Sequence, residues 1–176
     1  MRVVSSPGRQ LTFAGIDPVS SEALFDPSGQ YRYWLRRTWD PARAAVNFLM
    51  LNPSTADQYQ DDPTVARCRR YAERWGFGTL IVTNIFAYRS TDPHALYTLD
   101  DPVGPENDRY LLQAAAAAAL RIVAWGTHGA LHHRHTAVLT LLAAYPLAAL
   151  GTTQHGFPRH PLYLRADARP RPYPSA

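Results

Sequence analysis

The spacing of apolar positions along the chain changes several times, and each change marks an element. Ala45–Leu51 and Leu80–Ile85 are almost wholly apolar runs of strand length. Strands covered on both faces, as in a parallel sheet, read this way. Arg121–Trp125 and Leu147–Leu150 repeat the pattern in shorter form. Between the runs the spacing becomes helical. Asp62 is placed to cap a helix that has Pro63 in its first turn, continues to Trp75 and stops at Gly76. A second helix is predicted from Gly104 to about Ala119. It opens on Pro105, Glu106 and Asp108, an acidic first turn that suits the helix dipole, and closes on the alanine run from Ala114 to Ala119. A third is predicted over Ala130–Ala144.

Ahead of this alternation lies a different pattern. Glu22–Phe25 and Tyr31–Trp39 read as the two strands of a hairpin around Asp26-Pro27-Ser28-Gly29, which has proline and glycine where a tight turn takes them. Strands alternating with helices imply a parallel sheet covered on both faces. The predicted fold is therefore α/β: a three-layer α/β/α domain over residues 1–165 with a four-stranded parallel sheet and an N-terminal β-hairpin. A flexible Pro/Arg-rich tail is predicted over 166–176.

Composition narrows the function. The chain has 176 residues, 46% hydrophobic and 18% charged, enough for one folded domain with a core. No apolar run is long enough for a membrane span, so no membrane partner is expected. Met1–Gly15 contains Arg2 and Arg9 but no apolar stretch, so no secretory signal is expected and the cytoplasm is the expected compartment. A single cysteine, Cys68, excludes an intramolecular disulfide and a cysteine-rich metal centre. The net charge is +4 and every fixed side-chain cation is arginine, because the chain has no lysine. That excludes a phosphate-loop lysine and any lysine imine mechanism. Modest basicity favours a polyanionic partner, nucleic acid or nucleotide.

In open α/β sheets, ligands bind beyond the carboxyl ends of the strands. The segments found there are polar and punctuated by glycine or proline. They are Asn52-Pro53-Ser54-Thr55-Ala56-Asp57 after the first parallel strand, and Asn84 with Tyr88-Arg89-Ser90-Thr91-Asp92-Pro93 after the second. Gly126-Thr127-His128-Gly129 follows the third, and Gly151-Thr152-Thr153 with Gly156-Phe157-Pro158-Arg159-His160-Pro161 follows the fourth. The candidate catalytic residues are Asn52, His160 and Asp57, and the candidate substrate-binding residues are Pro53, Ser54, Asn84, Tyr88, Arg89, Gly126 and Thr127. Asp62 is a further carboxylate, with helix capping as its competing role. Tyr59 and Tyr88 are candidate stacking residues. Arg67, Arg70 and Arg74 share one helix face, and Val65, Cys68, Ala72 and Trp75 the other, which makes Cys68 a core residue. His132 with His135, or His128 with His132, would share a helix face, but no acidic partner is near. No metal and no cofactor are expected.

Two resemblances follow from these motifs. Asn52-Pro53 after a buried strand, Ile81-Val82-Thr83-Asn84 with the following Ile85–Arg89, Ile122–Gly126, and His160-Pro161 resemble, in order and spacing, the motifs of the uracil-DNA glycosylase superfamily. The Leu51–Asp57, Asp61–Thr64, Asp101–Asp108 and Pro158–Leu164 stretches resemble a bacterial family known as domain of unknown function 1643. The first resemblance implies a uracil-DNA glycosylase-like fold and cleavage of an N-glycosidic bond. Asn52 would then position water near an oxocarbenium-like sugar, Asn84 would read the base edge, and His160 would stabilise the departing base. Ser54 and Leu162 depart from the superfamily pattern. They keep open the alternative of a non-catalytic nucleic-acid or nucleotide-binding module on the same fold. A Ser54–His160–Asp57 hydrolase is a third reading, but it lacks the usual nucleophile-elbow glycines.

Overall fold

The computed structural model describes residues 1–7 and 20–174. Part of the stretch read for a secretory signal and the last two residues of the predicted tail lie outside them. The strands are β1 (Arg2–Pro7), β2 (Ser20–Phe25), β3 (Arg32–Thr38), β4 (Ala45–Met50), β5 (Thr79–Asn84), β6 (Leu120–Val123), β7 (Leu147–Ala149) and β8 (Arg171–Tyr173). The α-helices are α1 (Pro63–Arg74), α2 (Asn107–Ala117) and α3 (Arg134–Leu141). Short 3-10 segments cover Pro93–Thr98, Thr127–His133 and Pro161–Tyr163.

All eight strands form one mixed sheet in the order β1-β2-β3-β5-β4-β6-β7-β8. This corrects the expected four-stranded sheet: four of the seven pairings are antiparallel and three are parallel. The parallel pairings are contiguous, joining β5, β4, β6 and β7. The predicted hairpin is present as β2 and β3, and it adds to the edge of β5. The two outermost strands come from segments that carry no strand pattern. β1 has two serines and a proline among its six residues, and β8 is Arg-Pro-Tyr. An edge ladder is held by backbone hydrogen bonds, so it needs no apolar alternation, and an edge tolerates Pro172. Part of the expected tail is therefore sheet.

Side-chain alternation divides the core into two layers. Val46, Phe48 and Met50 of β4 point to one face and pack with Val65, Cys68, Tyr71 and Ala72 of α1. Leu49 points to the other face, with Leu111 and Ala115 of α2 and Val138 of α3. α1 begins where Asp62 accepts a hydrogen bond from the Val65 N–H at 2.8 Å, with Pro63 in its first turn. α2 stops before the alanine run does. Arg121 donates to the carbonyls of Ala115 and Ala118, supplying partners that a longer helix would have supplied.

The third predicted helix is broken. His132 and His133 have φ of 51° and 54°, left-handed backbone that interrupts the turn before α3 starts. The helix face that His132 would share with His135, or with His128, therefore does not exist. Among the described residues no group of three His, Cys, Asp or Glu side chains is placed to hold a metal ion. Among the same residues no helix is long and apolar enough to cross a membrane.

Gly78, at the entry to β5, lies so close to the Asp40 turn that a β-carbon there would sit 1.9 Å from the Asp40 carbonyl oxygen. Gly78→Ala should therefore destabilise the chain by roughly 1–3 kcal/mol or more. Urea unfolding checks this, and an unchanged midpoint would contradict the packing of that turn.

Candidate functional site

The parallel strands run in the order second, first, third, fourth. From β4 the chain passes to β5 on one side, then returns past β4 to β6 and β7 on the other. The loops leaving β4 and β6 therefore diverge, and an open sheet leaves a crevice at that switch point. A cleft of about 560 Å³ occupies it, within the size range of small-molecule sites. Asn52 and Ser54 enter it from the β4 loop, Asn84 from the end of β5, Gly126 and Thr127 from the β6 loop, and His160 from the β7 loop. Six of the sequence-predicted residues thus share one cavity.

Asn84, Asn52 and His160 are each held by a distinct device. Asn84 is 2% exposed. Its backbone carbonyl accepts from the Asn107 amide at 3.0 Å, and the next carbonyl, Ile85, accepts from both Asn107 and the buried Arg134. Helices α2 and α3 therefore fix the end of β5. The Asn84 side-chain oxygen accepts from Arg32 at 3.4 Å. Arginine has no acceptor, so the amide cannot flip without setting donors against one another. Asn84 is left with its NH2 group to offer. Asn52 is held the opposite way. Its NH2 donates to the carbonyls of Pro53 at 3.1 Å and Ser90 at 2.8 Å, which leaves its carbonyl oxygen as the uncommitted group.

His160 is delivered by a tight excursion after β7. Gly151 and Arg159 are tied backbone to backbone, Thr152 bridges Pro158, and the Gly126 N–H donates to the Pro158 carbonyl, locking this loop onto the one after β6. Gly126 has φ of 71°, a conformation that favours glycine. The His160 Nδ1 accepts from the Leu162 N–H at 3.4 Å, which places the proton of the neutral ring on Nε2. Burial lowers the His160 pKa, with Asp62 pulling in the other direction, so the imidazole is neutral at pH 7.

The remaining predicted residues fall elsewhere. Tyr88 and Arg89 line a neighbouring shallow depression together with Ser54 and Ser90. The Pro53 carbonyl accepts from Asn52 and from the Ser90 N–H, tying the β4 loop to the β5 loop from outside the cleft. Asp57 also lies outside the cleft. Its carboxylate accepts from the N–H groups of Tyr59 at 2.7 Å and Gln60 at 2.9 Å, an Asx-type turn that shapes the loop. Tyr59 is exposed and lines no part of the cleft. The carboxylate that does line the cleft is Asp62, at the start of α1. The aromatic residues there are Trp125 and Tyr163. Arg67 and Arg74 of the basic helix face donate to the carbonyls of Leu164 and Ala166, strapping the C-terminal segment to α1.

Arg32 carried no signal in the sequence. It lies on β3 among alternating residues, where an arginine reads as facing solvent, yet it is 2% exposed and lines the cleft. Its guanidinium donates to the Ala56 carbonyl at 2.6 Å and to Asn84, while its Nε has no partner. Among the described residues it forms no ion pair. Burial lowers its pKa to about 10, against the opposing pull of Asp62, so it remains a cation at neutral pH.

The model of a family described as protein of unknown function (DUF1643) matches residues 32–162. The chain belongs to this family. The match starts at Arg32 and ends two residues beyond His160, so in the DUF1643 chain the whole cleft except Tyr163 lies inside the family region, and β1, β2 and β8 lie outside it. Comparison with curated proteins and with solved structures finds no match.

The depressed pKa of His160 carries a testable sign. Protonation is disfavoured in the folded chain relative to the unfolded one. The linked stability is fully present above the ordinary value of 6.5 and is lost as pH falls from there through the folded value. Ring-proton NMR should show His160 titrating below 6.5, and titration at or above 6.5 would contradict its burial.

Proposed function

We propose that this DUF1643 protein recognises a nucleobase and hydrolyses an N-glycosidic bond, in DNA or in a nucleotide, on a scaffold resembling the uracil-DNA glycosylase fold. The observation that carries this reading is the set of three fixed polar groups around one cleft: the NH2 of Asn84, the carbonyl oxygen of Asn52 and the neutral ring of His160. Asn84 pairs with an acceptor on the base edge. Asn52 and Asp62 orient the attacking water, and Asp62 takes its proton. As the bond between sugar and base breaks, its electron pair stays with the base, and His160 donates a hydrogen bond to the charge that develops there. Trp125 and Tyr163 supply apolar surface for the ring. Asp57, a candidate catalytic residue that lies outside the cleft, has no part in this reading.

A second reading keeps the ligand and drops the reaction: a non-catalytic module that binds nucleic acid or a nucleotide. It is favoured by the commitment of the Asn52 NH2 to two backbone carbonyls, which gives Asn52 a structural reason to be there, and by the departures at Ser54 and Leu162.

The test is base release from single-stranded oligonucleotides containing uracil or modified bases, and from free nucleotides. The purified chain should release base, and the rate should fall about 10²–10³-fold in His160→Ala, the usual cost of one lost charge-stabilising donor. Asp62→Asn should lose about 10²–10⁴-fold. Absence of release from every substrate, while a control enzyme works, contradicts hydrolysis. Salt-sensitive binding without release leaves the binding module.

A further inference from the structure

The DUF1643 cleft has a buried positive charge at its inner wall that forms no ion pair among the described residues, Asp62 acting on it only from beyond ion-pair distance. Folded chains pair buried charges, because taking an ion out of water is costly and only a close partner offsets the cost. The other deeply buried arginines follow that rule. Arg37 pairs with Asp61, and Arg134 pairs with Asp108. Arg32 has two carbonyl acceptors, one of them long at 3.4 Å, and an enclosed Nε with nothing to donate to. It does not neutralise itself, since the guanidinium is still protonated at neutral pH. The charge faces a cavity that a ligand can enter.

We propose that Arg32 is the counter-charge for an oxyanion on the ligand ring that lies against Asn84. The proposal rests on the reading of the cleft as a nucleobase site. Arg32 and Asn84 are hydrogen-bonded to each other, so both face the same part of the ligand. If Asn84 meets a ring oxygen, Arg32 meets that oxygen as well, directly or through the polarised amide of Asn84. In the hydrolytic cycle the electron pair of the broken bond stays on the departing base and delocalises onto its ring oxygens. Water adds to the sugar carbon, its proton passes to Asp62 and on to solvent, and the base leaves as an anion that solvent then protonates. Arg32 interacts more strongly with that anion than with the neutral base, which is the condition for lowering the barrier. The ligand class is a pyrimidine or purine whose ring oxygen carries negative charge, and ring systems that are already anionic at neutral pH mimic it.

The experiment is equilibrium binding to the full chain at pH 7 and fixed ionic strength. The probes are uracil, barbiturate (a pyrimidine that is an anion at neutral pH) and inorganic phosphate. Barbiturate should bind at least tenfold more tightly than uracil, the usual scale of a hydrogen bond to a charged group. The preference should vanish in Arg32→Met and persist in Arg32→Lys, which keeps the charge. Should Arg32→Met fail to fold, Arg32→Gln keeps a donor without the charge and should lose the preference equally. Equal affinities in the wild-type chain overturn the proposal, as does a preference that survives loss of the charge. Phosphate binding that depends on Arg32, with no binding of either pyrimidine, overturns it too and removes the nucleobase reading. A charge preference that depends on Arg32 in a chain that releases no base upholds the proposal and rejects hydrolysis alone.

Discussion

The guanidinium of Arg32 sits where three parts of the chain meet. It reaches from the hairpin strand β3 across to the Ala56 carbonyl in the loop after β4 and to Asn84 at the end of β5. Five residues further along the same strand, Arg37 grips the other end of that loop, pairing with Asp61 and donating to the Asp57 carbonyl. Two buried arginines of one strand thus fasten the segment that carries Asn52 and Ser54 and leads to Asp62. Burial makes each of these contacts count. A buried donor or acceptor left without its partner costs about 1–3 kcal/mol, and a buried charge costs more. The loop is therefore pinned at several points along its course, although it contains no regular structure over Leu51–Asp62.

The sheet sets where that loop can go. Because β5 and β6 flank β4, the chain leaves β4 and β6 toward opposite faces, and the crevice between them is a consequence of strand order. The hairpin extends the sheet beyond β5, bringing Arg32 to a wall that the parallel strands alone would leave open. On the other flank β8 closes against β7, and Tyr173 packs edge-on against Trp125 at 6.1 Å, supporting the aromatic wall of the cleft from behind. Gly129 packs closely on the same ring, since a β-carbon there would meet the Trp125 side chain at 2.3 Å.

Much of this was legible in the sequence. The runs over Ala45–Leu51 and Leu80–Ile85, the Asp62-Pro63 helix start and the turn at Asp26–Gly29 each have a local cause, so they appear where local rules put them. The convergence of Asn52, Asn84 and His160 followed from the general placement of ligands at carboxyl ends. What stayed hidden depends on partners distant in sequence. β1 and β8 exist because an open edge offers backbone groups, and their own side chains give no hint of it. The helix over Ala130–Ala144 was misread because alanine and leucine spacing masks the left-handed turn at His132 and His133. Asp57 and Asp62 are five residues apart and chemically alike, and both carboxylates accept backbone N–H groups; only the three-dimensional path of the loop sets Asp62 at the cleft as well. Arg32 is the clearest case, since its burial is created by the loop that it holds.

In the proposed function a nucleobase lies against Asn84 and Arg32 at the carboxyl edge of the sheet. The most direct measurement is side-chain NMR on nitrogen-labelled protein during titration with uracil and barbiturate. The Asn84 NH2 pair and the Arg32 guanidinium should show saturable shifts, together with the His160 ring, while the Asn107 amide behind the strand stays in place. Saturable binding that leaves the Asn84 and Arg32 signals unmoved would contradict it.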